Sequence, residues 1–176
     1  MMLKPGDKAP NFDLPCTVGG AIKRVSLGAL HGEMAVVFFY PHDFSFICPT
    51  EVVGFHQQRE AFAAEATDIV GIGIDDAESH RRWAEELGGI GYPLAADAGG
   101  AVARLYGIFD EKEQAAMRAT FILDRDRTIV YAVASQVNVG RSVSETLRVV
   151  EALRSGRLCP ADWHPGDSFG PANLKY

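Results

Sequence analysis

The residues most able to do covalent chemistry in this sequence are its three cysteines, Cys16, Cys48 and Cys159. Cys48 follows a short apolar, β-prone segment, residues 35–40, and precedes a segment of helical pattern that begins at about Pro49. The first turn of a helix presents unpaired N–H groups and a partial positive charge, which favour an anion. Because the thiolate is the reactive form of cysteine, this position predicts a nucleophile. A free cysteine is also commonly a small buried apolar residue.

The number and spacing of the cysteines raise the question of redox chemistry, which the rest of the chain must answer. An odd number at wide spacing does not suggest the disulfide framework of a secreted protein, and no CxxC or Cys/His cluster predicts a zinc site. In a reducing cytosol a disulfide is usually transient, either catalytic or redox-sensing. The N-terminal residues lack the apolar core of a secretion signal, so we expect a cytoplasmic protein.

The composition is that of one globular unit. The chain has 176 residues, of which 47% are hydrophobic, which is enough for a full core in a single domain. No apolar run approaches the length that spans a bilayer, so no membrane partner is expected. The net charge of −6, with both signs interspersed and no basic cluster, argues against a nucleic-acid surface.

Several segments have the length and periodicity of regular elements. The predicted strands are residues 35–40, 69–74, 92–96, 120–123 and 128–133, and the predicted helices are residues 49–66, 77–87, 101–106 and 142–155. Residues 124–127 join the last two strands and predict an antiparallel hairpin. Ser142, with Glu145 three residues later, predicts the N-cap of the final helix, and Gly156 its end. We expect an opening loop as far as Gly20.

The order of these elements predicts an α/β domain. Alternating strands and helices, then a hairpin and a last helix, give a mixed central sheet flanked by helices. The domain is expected to cover residues 1–156. A mobile C-terminal tail, residues 157–176, is rich in Pro and Gly and carries Cys159.

Residues 39–51, Phe-Tyr-Pro-His-Asp-Phe-Ser-Phe-Ile-Cys-Pro-Thr-Glu, resemble the active-site signature of typical two-cysteine peroxiredoxins, the alkyl hydroperoxide reductase C and thiol-specific antioxidant family. The core of that signature is Pro-x-x-x-(Thr/Ser)-x-x-Cys, which Pro41, Ser45 and Cys48 match in identity and spacing. The resemblance continues in residues 118–124, 139–143 and 158–163 and so covers nearly the whole chain. It implies a thioredoxin-like fold with an N-terminal extension.

The resemblance also implies roles for individual residues. Cys48 is then the peroxidatic cysteine, whose thiolate attacks a peroxide oxygen and becomes a sulfenic acid. Arg118 holds the thiolate and binds the peroxide oxygens as charge shifts between them. Ser45 makes a hydrogen bond to the peroxide, and Pro41 shields the sulfur from water.

A second set of residues is implied to act around this centre. Glu51 and Arg141 match family positions that hold the active-site arginine in place. Cys159 matches the resolving cysteine, which attacks the sulfenic acid of a partner subunit and forms an intersubunit disulfide. Cys16 matches no functional position and is expected to be a partly buried structural thiol. Each of these residues also has an ordinary structural interpretation, such as a solvated arginine or a free surface thiol.

The partners follow from the same resemblance. A homodimer is implied, and a decamer made of five dimers is possible within the family. No Rossmann fingerprint or metal site is present in the sequence, so no cofactor is expected and the electrons are expected from thioredoxin or a flavoprotein disulfide reductase. Two other functions stay open: a holdase chaperone or redox-signalling scaffold, and a general thiol–disulfide oxidoreductase, against which the missing CxxC argues.

One departure from the family pattern concerns over-oxidation. Residues 88–91, Gly-Gly-Ile-Gly, are similar to the GGLG loop of peroxiredoxins that excess peroxide inactivates easily. Those proteins also carry a C-terminal helix with a Tyr-Phe motif, which is not found before Tyr176. We therefore expect a comparatively robust enzyme, in which Cys48 is resolved faster than it is over-oxidised.

Overall fold

The computed structural model describes residues 1–174, whose regular elements form one large sheet, a small hairpin and four α-helices. The strands are β1 (Asp13–Val18), β2 (Ala21–Ser26), β3 (Met34–Phe39), β4 (Thr67–Gly73), β5 (Leu94–Ala96), β6 (Phe109–Asp110), β7 (Ala115–Ala116), β8 (Arg118–Leu123) and β9 (Ile129–Ser135). The helices are α1 (Cys48–Ala64), α2 (Ala77–Glu86), α3 (Ala101–Leu105) and α4 (Val143–Ser155).

The large sheet is mixed and has the strand order β2-β1-β5-β4-β3-β8-β9. Strands β3, β4 and β5 run parallel to one another, whereas β8, β9, β1 and β2 join the sheet in antiparallel pairings. All six residues of β3 are buried. A strand covered on both faces is expected to be apolar throughout, which explains the continuous run of residues 34–39. The predicted α/β architecture is confirmed.

Alternate residues of β3 point into two separate cores. Val36 and Phe38 pack in the core that contains apolar residues of α1, α2 and α4. Val37 and Phe39 pack in the core on the other face, with residues of α3, β1 and β2. The sheet therefore places α1 beside α2 and α4 on one face, with the end of β3 leading directly into the loop before α1.

The expectation of an opening loop as far as Gly20 is wrong, because that segment contains strand β1. Strands β1 and β2 form an antiparallel hairpin whose two turn residues, Gly19 and Gly20, have positive φ angles of 57° and 79°. A two-residue glycine turn between extended segments is a hairpin signal in the sequence. Cys16 lies in β1 with 1% of its surface exposed, and burial raises the pKa of its thiol. It is therefore fully rather than partly buried.

The other differences are small. Helix α1 ends at Ala64, two residues before Ala66, which has a φ of 49° and turns the chain into β4. The two-residue strands β6 and β7 are too short for a sequence pattern to reveal. None of the helices within residues 1–174 has the length and apolar character needed to cross a bilayer.

The segment that follows α4 has no helix or strand between residues 157 and 174. It is nevertheless attached to α4: Arg148 donates a hydrogen bond to the Trp163 carbonyl oxygen at 2.9 Å. Trp163 is 5% exposed and its ring lies 5.2 Å from that of Phe169. The expectation that the chain lacks a C-terminal Tyr-Phe motif also concerns Tyr176, which lies outside the described residues. The division into a domain over residues 1–156 and a separate tail stays a prediction.

Candidate active site

Cys48 is the first residue of α1, one position earlier than the sequence pattern indicated. Pro49 follows it in the first turn, where its missing N–H leaves no intrahelical hydrogen bond unmade. Cys48 has none of its surface exposed. The sulfur is therefore held at a helix N-terminus, in a position that favours a negative charge and is closed to bulky reagents.

Arg118 is the permanent positive charge beside this sulfur. It begins β8, next to the carboxyl end of β3, and its residue is 3% exposed. Its Nη1 lies 3.3 Å from Cys48 Sγ, and its Nε donates to the Val137 carbonyl oxygen at 2.7 Å. Because a guanidinium does not lose its proton in proteins, the contact stabilises the thiolate by a charge-assisted hydrogen bond.

Glu51, one turn further along α1, binds two arginines at once. Its Oε2 accepts hydrogen bonds from Arg118 Nη1 at 2.8 Å and from Arg141 Nη2 at 2.7 Å. Its Oε1 accepts from the Arg141 backbone N–H at 2.7 Å and from Arg141 Nε at 3.0 Å. Arg141 Nη1 also donates to the carbonyl oxygens of Phe39 and Ala119, each at 2.7 Å. The triad thus ties α1 to the ends of β3 and β8 and fixes the guanidinium of Arg118.

The Glu51 carboxylate gives the site a predictable acid response. Burial raises the pKa of Glu51, but the hydrogen bonds and charge of Arg141, together with the charge of Arg118, outweigh burial and leave it below the ordinary value of 4.5. A carboxylate with a lowered pKa stabilises the fold fully above its unfolded-state pKa, and this contribution is lost as the pH falls through the folded-state pKa.

We therefore expect Glu51→Gln to lower the free energy of unfolding at neutral pH by about 3–5 kcal/mol, because two buried guanidinium groups lose their carboxylate. Urea unfolding at neutral pH and then below the ordinary Glu51 pKa of 4.5 is expected to show the difference from wild type shrinking with acidification. A difference that stays constant across this range would contradict the assigned role of the ionised carboxylate.

Residues 40–47 form the loop between β3 and α1. Pro41 is buried, directly after the fully buried Tyr40. Ser45 is partly buried, and its Oγ donates to the His42 carbonyl oxygen at 3.2 Å instead of to Cys48. Phe46 is 93% exposed. The loop therefore brings a hydroxyl and a proline ring to the chain segment that enters α1, with an aromatic ring facing outward.

A buried polar network lies under this loop, and the sequence pattern does not predict it. The Asp43 carboxylate accepts hydrogen bonds from Tyr40 OH at 3.1 Å and from Ser79 Oγ at 2.8 Å. His80 Nδ1 lies 2.7 Å from the same carboxylate, and His80 Nε2 lies 3.2 Å from the Ala95 carbonyl oxygen. The imidazole ring of His80 therefore links the Asp43 carboxylate to the backbone of β5 inside the core.

This network positions the loop against α2. His80 is completely buried and lies three residues before the buried Trp83, on the inward face of α2. The Asp43 backbone N–H also donates to Asp75 Oδ2 at 2.9 Å. The position of His80 at the apolar spacing of an amphipathic helix indicates that this histidine is buried. The sequence does not reveal which residue it contacts.

Cys159 lies apart from these residues, next to the last turns of α4. Its Sγ is 3.4 Å from Ser155 Oγ and 3.7 Å from the Ala152 carbonyl oxygen, and the side chain is partly exposed. It lines a cavity of about 830 Å³ between α4 and the segment that follows. Cys16, Cys48 and Cys159 are all free thiols. Within residues 1–174, no group of three or more His, Cys, Asp or Glu residues is arranged to bind a metal ion.

The geometry defines the class of protein. A buried cysteine at a helix N-terminus, next to an ion-paired arginine and the end of a central mixed-sheet strand, is an arrangement for cysteine-dependent redox chemistry. The sequence matches the AhpC/TSA family over residues 5–132. The chain belongs to this family of peroxiredoxins, and it is a thiol peroxidase.

Individual relatives agree over nearly the full length. Peroxiredoxin prdx-2 of Caenorhabditis elegans is 37% identical over 177 residues, covering 94% of this chain and 88% of the relative. The structure of Mycobacterium tuberculosis AhpC matches with a TM-score of 0.85 and 30% identity, covering 93% of this chain and 100% of that one. The structure of the reduced 2-Cys peroxiredoxin of Plasmodium vivax matches with a TM-score of 0.88 and 26% identity, covering 95% of this chain and 92% of that one.

These matches confirm the thioredoxin-like fold and the peroxiredoxin resemblance expected from the sequence. Membership of the family implies a peroxide substrate and a thiol reductant, and members are usually oligomeric. Of the predicted site residues, the fold brings Cys48, Arg118, Glu51 and Arg141 into one hydrogen-bonded group.

Proposed function

We propose that this enzyme reduces hydrogen peroxide and alkyl hydroperoxides by a two-cysteine mechanism, in which Cys48 attacks the peroxide and the partner subunit's Cys159 resolves the oxidised sulfur. The observation that carries the proposal is the 3.3 Å contact between Arg118 Nη1 and Cys48 Sγ at the start of α1. The resulting disulfide is reduced by a thioredoxin-type donor, either thioredoxin or a flavoprotein disulfide reductase.

In the first step the Cys48 thiolate attacks one peroxide oxygen. A sulfur–oxygen bond forms, the oxygen–oxygen bond breaks, and the departing oxygen takes up a proton and leaves as water or an alcohol. Cys48 is oxidised to a sulfenic acid. Arg118 stabilises the negative charge as it moves from sulfur to oxygen. Ser45 Oγ exchanges its bond with the His42 carbonyl oxygen for one to the peroxide, and Pro41 keeps water from the sulfur.

In the second step the Cys159 thiol of the partner attacks the sulfenic sulfur and releases water. A disulfide requires Cα atoms about 4.4–6.8 Å apart, whereas Cys48 is fully buried within a helix. The first turn of α1 must therefore open before resolution. Cys159 is suited to its part because its thiol is free, partly exposed and carried by a segment without regular structure.

A dimer that brings the two cysteines together is supported by the open edge of the sheet. Strand β9 is the last strand of the large sheet, so one of its edges has no neighbouring strand within the described residues. Such an edge pairs readily with another copy of the same strand. Phe44 and Phe46 are 52% and 93% exposed and become buried if dimers assemble further, for example into a decamer.

The proposal is tested on non-reducing gels and in turnover assays with wild type, Cys48→Ser and Cys159→Ser. Peroxide is expected to convert wild type into a disulfide-linked dimer, which neither variant forms. If Cys159→Ser still turns over with a thioredoxin-type reductant and wild type forms no dimer, Cys159 is not the resolving residue and a one-cysteine mechanism replaces the proposal.

A further inference from the structure

His56 joins α1, the helix that begins at Cys48, to the loop of residues 88–91 between α2 and β5. Its Nδ1 accepts a hydrogen bond from the Gly91 backbone N–H at 3.0 Å. The two residues are 35 positions apart in the sequence. A ring nitrogen that accepts from an N–H must carry a lone pair, so this contact exists only while Nδ1 is unprotonated.

The rest of the contact between the loop and α1 is closely fitted. Tyr92, which follows the loop and is 5% exposed, donates from its hydroxyl to the Val52 carbonyl oxygen at 2.8 Å. A Cβ atom added at Gly91 would lie 3.2 Å from Arg59 Cδ and 3.4 Å from His56 Cε1. The loop backbone therefore lies close against the side chains of α1, and a Cβ atom at Gly91 would require Arg59 to shift by a few tenths of an ångström.

The two attachment points share a helix face with the reactive cysteine. Cys48, Val52 and His56 follow one another at intervals of four residues, which places them along one side of α1. Opening of the first turn starts at Cys48. If it spreads along the helix, it meets the Tyr92 bond at Val52 and then the Gly91 bond at His56. These bonds thus limit how far α1 can unwind.

We propose that His56 is a positioning residue that keeps α1 closed over Cys48 while its Nδ1 is unprotonated, and that protonation of Nδ1 loosens the helix. A proton on Nδ1 would place two donors face to face, so the bond to Gly91 would be lost. Acidification then favours the opening of α1 that brings Cys48 to Cys159. Disulfide formation is thereby favoured over the over-oxidation of Cys48. This last consequence rests on the proposed two-cysteine function, whereas the attachment itself does not.

The charged residues that follow His56 within α1 are Arg59 and Glu60. Arg59, one turn on along α1, donates from Nη1 to the His56 carbonyl oxygen at 3.0 Å, and its Nη2 lies 3.3 Å from Glu60. Residues 88–91 of the loop contain only glycine and isoleucine, so the loop itself brings no titratable side chain to the ring. Tyr92 is the titratable group that follows, and burial raises its pKa well above the ordinary value.

Two substitutions at His56 separate the loss of the hydrogen-bond acceptor from the gain of a proton on Nδ1. His56→Ala removes the acceptor. His56→Asn keeps an oxygen on the atom that carries Nδ1 in histidine, so it can accept from Gly91 but does not gain a proton in this range. Gln57→Ala, at the exposed neighbouring position of α1, is the matched control. Circular dichroism and thermal unfolding establish that each variant is folded.

The readout is hydrogen exchange in peptides covering residues 45–55, with variants compared at the same pH, near about pH 7.5 and about pH 5.5. At the higher pH, wild type, His56→Asn and Gln57→Ala are expected to exchange alike, and His56→Ala about two- to tenfold faster, as for the loss of one hydrogen bond. At the lower pH, the exchange rates of wild type and Gln57→Ala are expected to move towards that of His56→Ala, while His56→Asn stays slow.

The inference is overturned if His56→Ala exchanges at the same rate as wild type at the higher pH. It is also overturned if His56→Asn exchanges at the same rate as wild type at both pH values. Mass spectrometry after a peroxide pulse gives an independent readout, the ratio of Cys48–Cys159 disulfide to Cys48 sulfinic acid, which is expected to rise in His56→Ala. If the exchange pattern holds but no Cys48–Cys159 disulfide forms in any variant, the role of His56 stands and the two-cysteine function fails.

Discussion

Replacement of Cys48 by serine is expected to lower peroxide turnover by at least about a thousandfold, because the reaction loses its nucleophile and the steps that follow from it. A serine hydroxyl at this position can still accept from Arg118, so the fold and the arginine network are expected to persist. Turnover is measured by peroxide consumption with dithiothreitol as reductant.

The matched control for Cys48→Ser is Cys16→Ala. Cys16 is buried in β1, where it packs in the core on the opposite face of the sheet from α1. It has no part in the proposed mechanism, so the variant is expected to retain turnover despite a small core cavity. Substantial turnover in Cys48→Ser, or its loss in a folded Cys16→Ala, would contradict the assignment of Cys48 as the peroxide-reactive thiol.

Replacement of Arg118 by methionine is expected to slow the oxidation of Cys48 by about a hundredfold to a thousandfold, which is the usual effect of removing one group that stabilises charge in the transition state. The length of the side chain is roughly kept, while the charge and the donors to Cys48 and Glu51 are lost. Stopped-flow single-turnover measurement of Cys48 oxidation reports this step separately from the reduction of the disulfide.

Arg125→Met makes the same chemical change at a distant surface position. The Arg125 side chain is 78% exposed and lies 3.5 Å from Glu33, so its loss is expected to leave the oxidation rate unchanged. Arg118→Lys is expected to recover only part of the rate, because an ammonium group lacks the planar fork of donors. Equal rates in wild type and a folded Arg118→Met would exclude Arg118 from the chemical step.

Much of the fold follows from local sequence signals. Ser142 caps α4 by accepting from the Glu145 N–H at 3.1 Å, and Gly156 ends the helix with a φ of 62°, both as the sequence predicts. The β1–β2 hairpin was missed because β2 is an edge strand, whose residues 21–24 are exposed and lack the apolar pattern of a core strand. The paired glycines of its turn were the remaining signal.

Some features of the site can also be predicted from neighbouring residues in the sequence, whereas others depend on contacts between distant residues. The position of Cys48 at a strand–helix junction is local and could be predicted. The contact of Glu51 with Arg141 joins residues 90 positions apart, so only the family resemblance suggested it. The Asp43–His80 pair was not predicted, because its geometry depends on how α2 packs against the sheet.

The central claim is that Cys48 of one subunit reacts with Cys159 of its partner, and mixing two inactive variants tests it most directly. Cys48→Ser and Cys159→Ser are combined, allowed to exchange subunits, and treated with peroxide and a thioredoxin-type reductant. We predict that the mixture regains turnover and yields a Cys48–Cys159 disulfide, identified by peptide mass spectrometry, that neither variant forms alone. A mixture that forms no such disulfide and stays as inactive as its components, while wild type is active, would contradict the claim.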